Sequence, residues 1–192
     1  RRQRQMCIRD RFVAVAFVWR WLYQPQIGLL NQIITGLGLP MQPFLTSPDQ
    51  SLPSITVVAV WRSIGFAIII FLAGLQDVPR SLLEAAEIDG ANVWQRFWHV
   101  TIPMISNVIL FNLVMNVIWS FQVFTQALVI GGTNGTPLES TLMVMVLIYR
   151  NAFRYFKMGY ASALAFLTFI VIMIVTVIIF RTSDAWVYTE KD

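Results

Sequence analysis

The sequence predicts an all-α integral membrane protein with three whole spans and a partial one. Three observations carry this. Of the 192 residues, 57% are hydrophobic and only 12% charged, where a soluble domain carries roughly 25% charged residues. The apolar residues gather into runs of the roughly 20 residues a bilayer requires. The Lys and Arg behind the net charge of +4 sit at the ends of those runs, where they anchor helices rather than build a nucleic-acid surface.

Residues 1–11, RRQRQMCIRDR, are basic and lack an initiator Met. No small-residue cleavage site follows the next apolar stretch, so this is not a secretory signal. QMCIRDR resembles translated sequencing-adapter read-through. The segment is read as non-native, with the native N-terminal region missing; the other reading is a cytoplasmic basic flank. Residues 12–23, FVAVAFVWRWLY, are too short to span alone and look like the stump of a longer helix. Residues 24–54 are rich in Pro and Gly and contain no Lys or Arg.

The first whole span is 55–75. It contains Arg62, whose insertion near a helix centre costs about 2.5–3.5 kcal/mol, so the side chain snorkels outward or faces a polar path. The second span is 104–130 and the third 159–180. Gly159 and Ala163 make a small-x-x-x-small pair suited to close helix approach. Residues 182–192 form a tail. Within 149–157, Arg150, Arg154 and Lys157 fall on one helical face, as in an interfacial helix. Arg80, Arg96, Arg181 and Lys191 lie on one side, and Arg150, Arg154 and Lys157 on the other, joined by Arg20 if it lies outside the bilayer. That near tie leaves orientation open under the positive-inside rule.

Between the first two whole spans lies a polar segment, 76–103, whose core reads EAAEIDGANVWQRFWHVTIP (84–103). Ser81 and Glu84 have capping-box spacing after Pro79, predicting a helix from about residue 82. Asp89-Gly90 breaks it, because glycine enters the positive-φ conformation a sharp turn needs. Asn92 and Gln95 form a second, weaker cap-like pair. The expected product is a helix–Gly–helix knuckle held by two spans. The plain reading, a capped helix and a turn, does not explain why a connecting loop should be so organised.

This segment resembles the EAA motif of permease subunits of bacterial ABC importers. Glu84-Ala85-Ala86 and Gly90 fit it, and Val100, Ile102 and Pro103 occupy its final element with conservative changes. LAGLQDVPRSLLEAAEIDGA (72–91), WLYQPQIGLLNQIITGLGLP (21–40), GGTNGTPLESTL (131–142) and MGYASALA (158–165) resemble the carbohydrate branch, the relatives of maltose and glycerol-phosphate permeases. The resemblance covers about 12–181. GGTNGTP departs from a more compact GGP, lengthening an external loop, and the first spans of the usual six-span core are absent.

The resemblance implies a MetI-like permease core in the bacterial inner membrane. It makes 76–103 a cytoplasmic coupling loop that docks on an ATPase. Glu84, Ala85, Ala86, Asp89 and Gly90 would form the docking element. Partners implied are a second permease subunit, an ATP-binding subunit dimer, an extracytoplasmic solute-binding protein and a sugar. The chain has no G-x-x-x-x-G-K-[ST] element, so ATP and Mg belong to the partner ATPase and the chain is not itself an enzyme. With Cys7 and His99 each the only residue of its kind, a disulfide within the chain and a Cys/His metal cluster are excluded.

In the span 104–130, Asn112, Asn116, Ser120, Gln122 and Gln126 fall within an arc of roughly 160° on a helical wheel. Polar groups in a span face the protein interior or a water-filled path. Amides and hydroxyls suit sugar hydroxyls, and the resemblance matches Asn116 and Ser120 to sugar-contacting positions. Trp119, Phe66 or Phe121 could stack on a sugar ring, although an aromatic in a span is more often packing or an interfacial anchor. The competing reading is that these polar groups join helices together. Two other functions remain open: a secondary transporter or channel working without ATP, and a non-transporting membrane scaffold.

Overall fold

The computed structural model describes residues 13–187. The 1–11 segment, with Cys7, and the end of the 182–192 tail lie outside the described residues. Every regular element among those described is helical. α1 is Val13–Leu22 and α2 is Leu29–Gly36. α3, Pro48–Gln76, encloses the expected 55–75 stretch. α4 is Arg80–Ile88 and α5 is Val93–Arg96. A π-helical turn, Phe97–Thr101, then leads into α6, Ile102–Met104. α7 is Ser106–Phe121 and α8 Thr125–Gly131. α9, Val144–Tyr149, runs into a second π-helical turn, Arg150–Arg154, and α10 is Met158–Ser183.

α3 begins earlier than its apolar run because its start is well signalled. Ser47 is extended, at φ −98° and ψ 135°. Pro48 takes the first helical position, where its missing N–H costs nothing. Asp49 puts a negative charge in the first turn, where the helix dipole favours it. Pro53 is contained within the helix.

The second expected span is not one helix. Hydropathy runs unbroken from Ser106 to Gly131, but the backbone leaves the helix at 122–124, with Phe124 at φ −126° and ψ −61°. Gln122 lies in this interruption, and Gln126 is on α8, so neither shares the α7 wheel. The interfacial helix expected over 149–157 is also corrected. It ends at Arg154, Phe156 takes φ +52°, and Lys157 lies outside it. Arg150 is instead held at 2.9 Å from Glu139.

The described residues fall into two compact units, 13–62 with 121–169 and 63–120 with 170–187. In the first, the Trp19 ring of α1 lies 5.6 Å from Trp61 of α3, and Tyr23 packs 5.1 Å from Phe44. The Tyr23 hydroxyl donates to Ser54 O at 3.2 Å, and Ser51 and Ser140 share a hydrogen bond of 2.7 Å. Asn31 is buried and satisfied: Nδ2 donates to Pro25 O and Gln42 O, and Oδ1 accepts from Gln42 N. One amide thus closes the Pro- and Gly-rich loop that composition alone left shapeless.

In the second unit α3 and α7 pack antiparallel. The Phe66 ring is 5.1 Å from Trp119 in an edge-on arrangement. A Cβ placed on Gly74 would fall 2.7 Å from Val108 Cγ2, so this glycine is what admits the close approach. Of the other pair expected to do that work, Gly159 and Ala163, the glycine makes no close approach among the described residues: a Cβ on Gly159 would meet nothing within 4 Å. Only 6–11% of each apolar window is buried. Helices this apolar on every side belong against lipid or other membrane helices.

Candidate functional site

The 76–103 segment folds as a helix, a tight turn and a second helix, but its caps differ from expectation. α4 starts at Arg80 with Pro79 as its N-cap, and no side chain caps it. The Ser81–Glu84 pair therefore makes no capping box, since helical geometry begins before Ser81. Glu84 is left exposed on α4. The complete box is instead the Asn92–Gln95 pair. Asn92 Oδ1 accepts from Gln95 N at 2.9 Å, and Gln95 Oε1 accepts from Asn92 N at 2.8 Å.

The turn between the helices is a Schellman motif. Ala91 N donates to Ala86 O and Gly90 N to Glu87 O, each at 3.0 Å. Gly90 sits at φ +80°, the left-handed conformation this motif demands and which glycine adopts without strain. Arg96 of α5 reaches back to pair with Glu87 of α4. The turn is thus locked by backbone bonds, a capping box and one ion pair. The π-helical turn then precedes Pro103, which has no N–H to continue an α-helical ladder.

This knuckle presents a mixed surface. Glu84, Ala85, Asp89 and Gly90 are exposed and Ala86 half-buried. Ile88 is 87% exposed, and Val93 and Trp94 are each 71% exposed. Such apolar side chains in an otherwise polar loop favour a protein partner. The reading from sequence missed Ile88; its signal was a lone large aliphatic beside the Asp-Gly break. A cavity of about 430 Å³ beside the turn is lined by Ala86, Asp89, Gly90, Arg96 and His99 among others.

The polar face of α7 is the second feature. Asn112 is buried, whereas Asn116 and Ser120 are exposed. Each bonds its own helix: Asn112 Nδ2 to Val108 O, Asn116 Nδ2 to Asn112 O, and Ser120 Oγ to Val117 O. Buried Asn112 Oδ1 has no partner among the described residues. None of these three bonds joins one helix to another. Phe66 stands against Trp119, one turn from Asn116 and next to Ser120. Gln122 is exposed in the α7–α8 interruption. Among the described residues, no three His, Cys, Asp or Glu come together to hold a metal.

Comparison with known proteins gives concordant matches. A family profile described as "Binding-protein-dependent transport system inner membrane component" matches residues 12–188. The probable ABC transporter permease protein YesP of Bacillus subtilis (strain 168) is 40% identical over 93% of this chain and 58% of its own length. The arabinooligosaccharides transport system permease protein AraP of the same organism is 31% identical over 91% of this chain and 56% of its own. The sn-glycerol-3-phosphate transport system permease protein UgpA of Yersinia enterocolitica is 33% identical over 86% and 56%. The chain thus spans little more than half the length of these curated relatives.

A solved bacterial ABC transporter involved in the import of the acidic polysaccharide alginate has a chain that superimposes with a TM-score of 0.79 at 24% identity. The match covers 91% of this chain and 60% of that one, and it establishes the shared fold. A second alginate transporter structure, in complex with an alginate pentasaccharide-bound periplasmic protein, gives a TM-score of 0.80 at 25% identity over 90% and 59%.

Proposed function

Because the chain belongs to the binding-protein-dependent transport system inner membrane components, we propose that it is a membrane-spanning subunit of an ATP-driven saccharide or polyol importer. Its solute arrives on an extracytoplasmic binding protein, and its energy comes from a separate ATPase. The observation that carries this reading is the knuckle. A loop locked by a Schellman turn, a capping box and the Glu87–Arg96 pair is stiff enough to transmit a push. Its exposed Ile88, Val93 and Trp94 supply apolar surface for a partner's cleft. Glu84 to Gly90 forms the docking element and faces the cytoplasm. A second permease subunit covers apolar surface that this chain leaves open.

The α7 face supplies part of the solute path. Asn112, Asn116 and Ser120 line it beside Phe66, and their bonds stay within one helix, which favours pathway lining over joining helices. Gln122 contributes from the helix interruption, a backbone form tolerated at membrane depth where it is buried in protein or lines a water-filled cavity.

The test is solute uptake into proteoliposomes holding the full-length permease pair, with and without the ATPase subunits. Uptake is expected only with ATPase, ATP and loaded binding protein together. Uptake that persists without the ATPase would overturn the proposal in favour of a secondary transporter or channel.

A further inference from the structure

We propose that the cleft flanked by Arg20 and Arg154 binds the carboxylate of an acidic saccharide. This rests on the reading of the chain as a saccharide importer subunit and adds a charge preference to it.

The cleft is built on the turn that follows α8. Thr136 N and Oγ1 both donate to Gly131 O, at 2.8 and 3.0 Å, and Thr141 Oγ1 donates to Thr136 O at 3.1 Å. Gly135, at φ +63°, lets the chain pass Leu142, where an added Cβ would sit 2.6 Å from the Leu142 Cβ. This cross-braced turn presents Thr133 Oγ1 and Asn134 Oδ1, which accept from Arg154 Nη1 at 2.6 and 2.7 Å. Arg20 of α1 is fixed separately, its Nη1 donating to Val129 O at 3.2 Å.

Arg20 and Arg154 both line one cavity of about 500 Å³. An adjoining cavity of about 630 Å³ shares Arg20, Ile130 and Thr136 and adds Phe17, Trp21 and Gln24. These volumes fall in the range of small-molecule sites. Among the described residues, no Asp or Glu lines either cavity. The acid of the same turn, Glu139, is paired with Arg150.

Each of the two arginines is held through Nη1. Among the described residues, Nη2 and Nε of both have no hydrogen-bond partner. A guanidinium anchored by one nitrogen keeps its other donors for an incoming oxyanion, and its planar fork matches a carboxylate. The exposed rings of Phe17 and Trp21 add apolar faces next to that charge. An inorganic anion has no use for such faces, whereas a pyranose ring bearing a carboxylate uses both. A neutral sugar would leave two fixed positive charges unanswered.

The experiment is equilibrium dialysis of labelled D-glucuronate and D-glucose against the full-length permease–ATPase assembly, without binding protein, in nanodiscs of neutral lipid. Glucuronate is expected to bind about tenfold more tightly than glucose. Arg20→Gln and Arg154→Gln should each erase that preference, and Arg154→Lys, which keeps the charge without the fork, should restore part of it. Equal binding of the two sugars, or a preference that survives both Gln variants, overturns the proposal. Phosphatidylglycerol nanodiscs separate a lipid source: if anionic lipid alone blocks glucuronate, the cleft holds a headgroup and the saccharide assignment fails. Failure of the importer reading shows up elsewhere, as uptake that needs no ATPase.

Discussion

Replacing Gly90 by proline is expected to abolish uptake while leaving the protein in the membrane. The native residue sits at φ +80°, and proline is confined near −65°. Its N–H donates to Glu87 O at 3.0 Å, a bond proline cannot make. A proline at this position also disfavours helical geometry at the preceding residue, yet Asp89 sits at φ −72° and ψ 2° as the end of α4. The turn must therefore open, and α4 and α5 lose their fixed relation. A loss of about 2–3 kcal/mol in the docked geometry corresponds to roughly 30- to 150-fold in coupled transport. The spans lie outside the change, so the membrane fraction should hold wild-type amounts of protein. Gly90→Ala, strained by about 1–2 kcal/mol, should give an intermediate uptake. Wild-type uptake by Gly90→Pro would sink the coupling assignment.

The double variant Asn116→Leu with Ser120→Leu is the second large effect. Both side chains are exposed and bonded only to their own helix. Replacing them removes donors and acceptors without breaking any bond between helices. Each lost hydrogen bond to a neutral hydroxyl is worth about 0.5–1.5 kcal/mol, so uptake should fall about 5- to 150-fold for the pair. Thermal stability in detergent should change little. If the groups joined helices instead, the outcome would be reversed: stability would drop and uptake per folded molecule would hold. That pattern, or unchanged uptake, would remove these residues from the path.

Much of the architecture could be read from hydropathy, because a bilayer imposes one strong rule on length and polarity. The knuckle was also legible, since Asp-Gly and Asn-x-x-Gln are local signals. What failed were features set by competition between neighbours. Ser81 and Glu84 have the spacing of a capping box, but with Pro79 as N-cap the helix starts at Arg80, two residues too early for it. The interruption at 122–124 contains neither Gly nor Pro, and averaged hydropathy passes over it. Its one trace was the polar run of Gln122, Thr125 and Gln126. Arg150 and Arg154 had helical spacing with Lys157, but Glu139, Thr133 and Asn134 claim the two arginines from a distant turn. No local pattern announces such partners. Gly74 likewise looked like any glycine in a span until Val108 was placed against it.

The central claim, that 84–90 docks on an ATPase, is tested most directly by cross-linking. Cysteine is placed at position 84 or 88 (Glu84→Cys, Ile88→Cys) in the assembled full-length importer, with Ala163→Cys on α10 as the control. A short thiol-to-amine reagent should join positions 84 and 88 to the ATPase subunit and leave the control unlinked, with yields that change when ATP is added. Absence of any cross-link from both positions, in a complex that still hydrolyses ATP and transports, would contradict it.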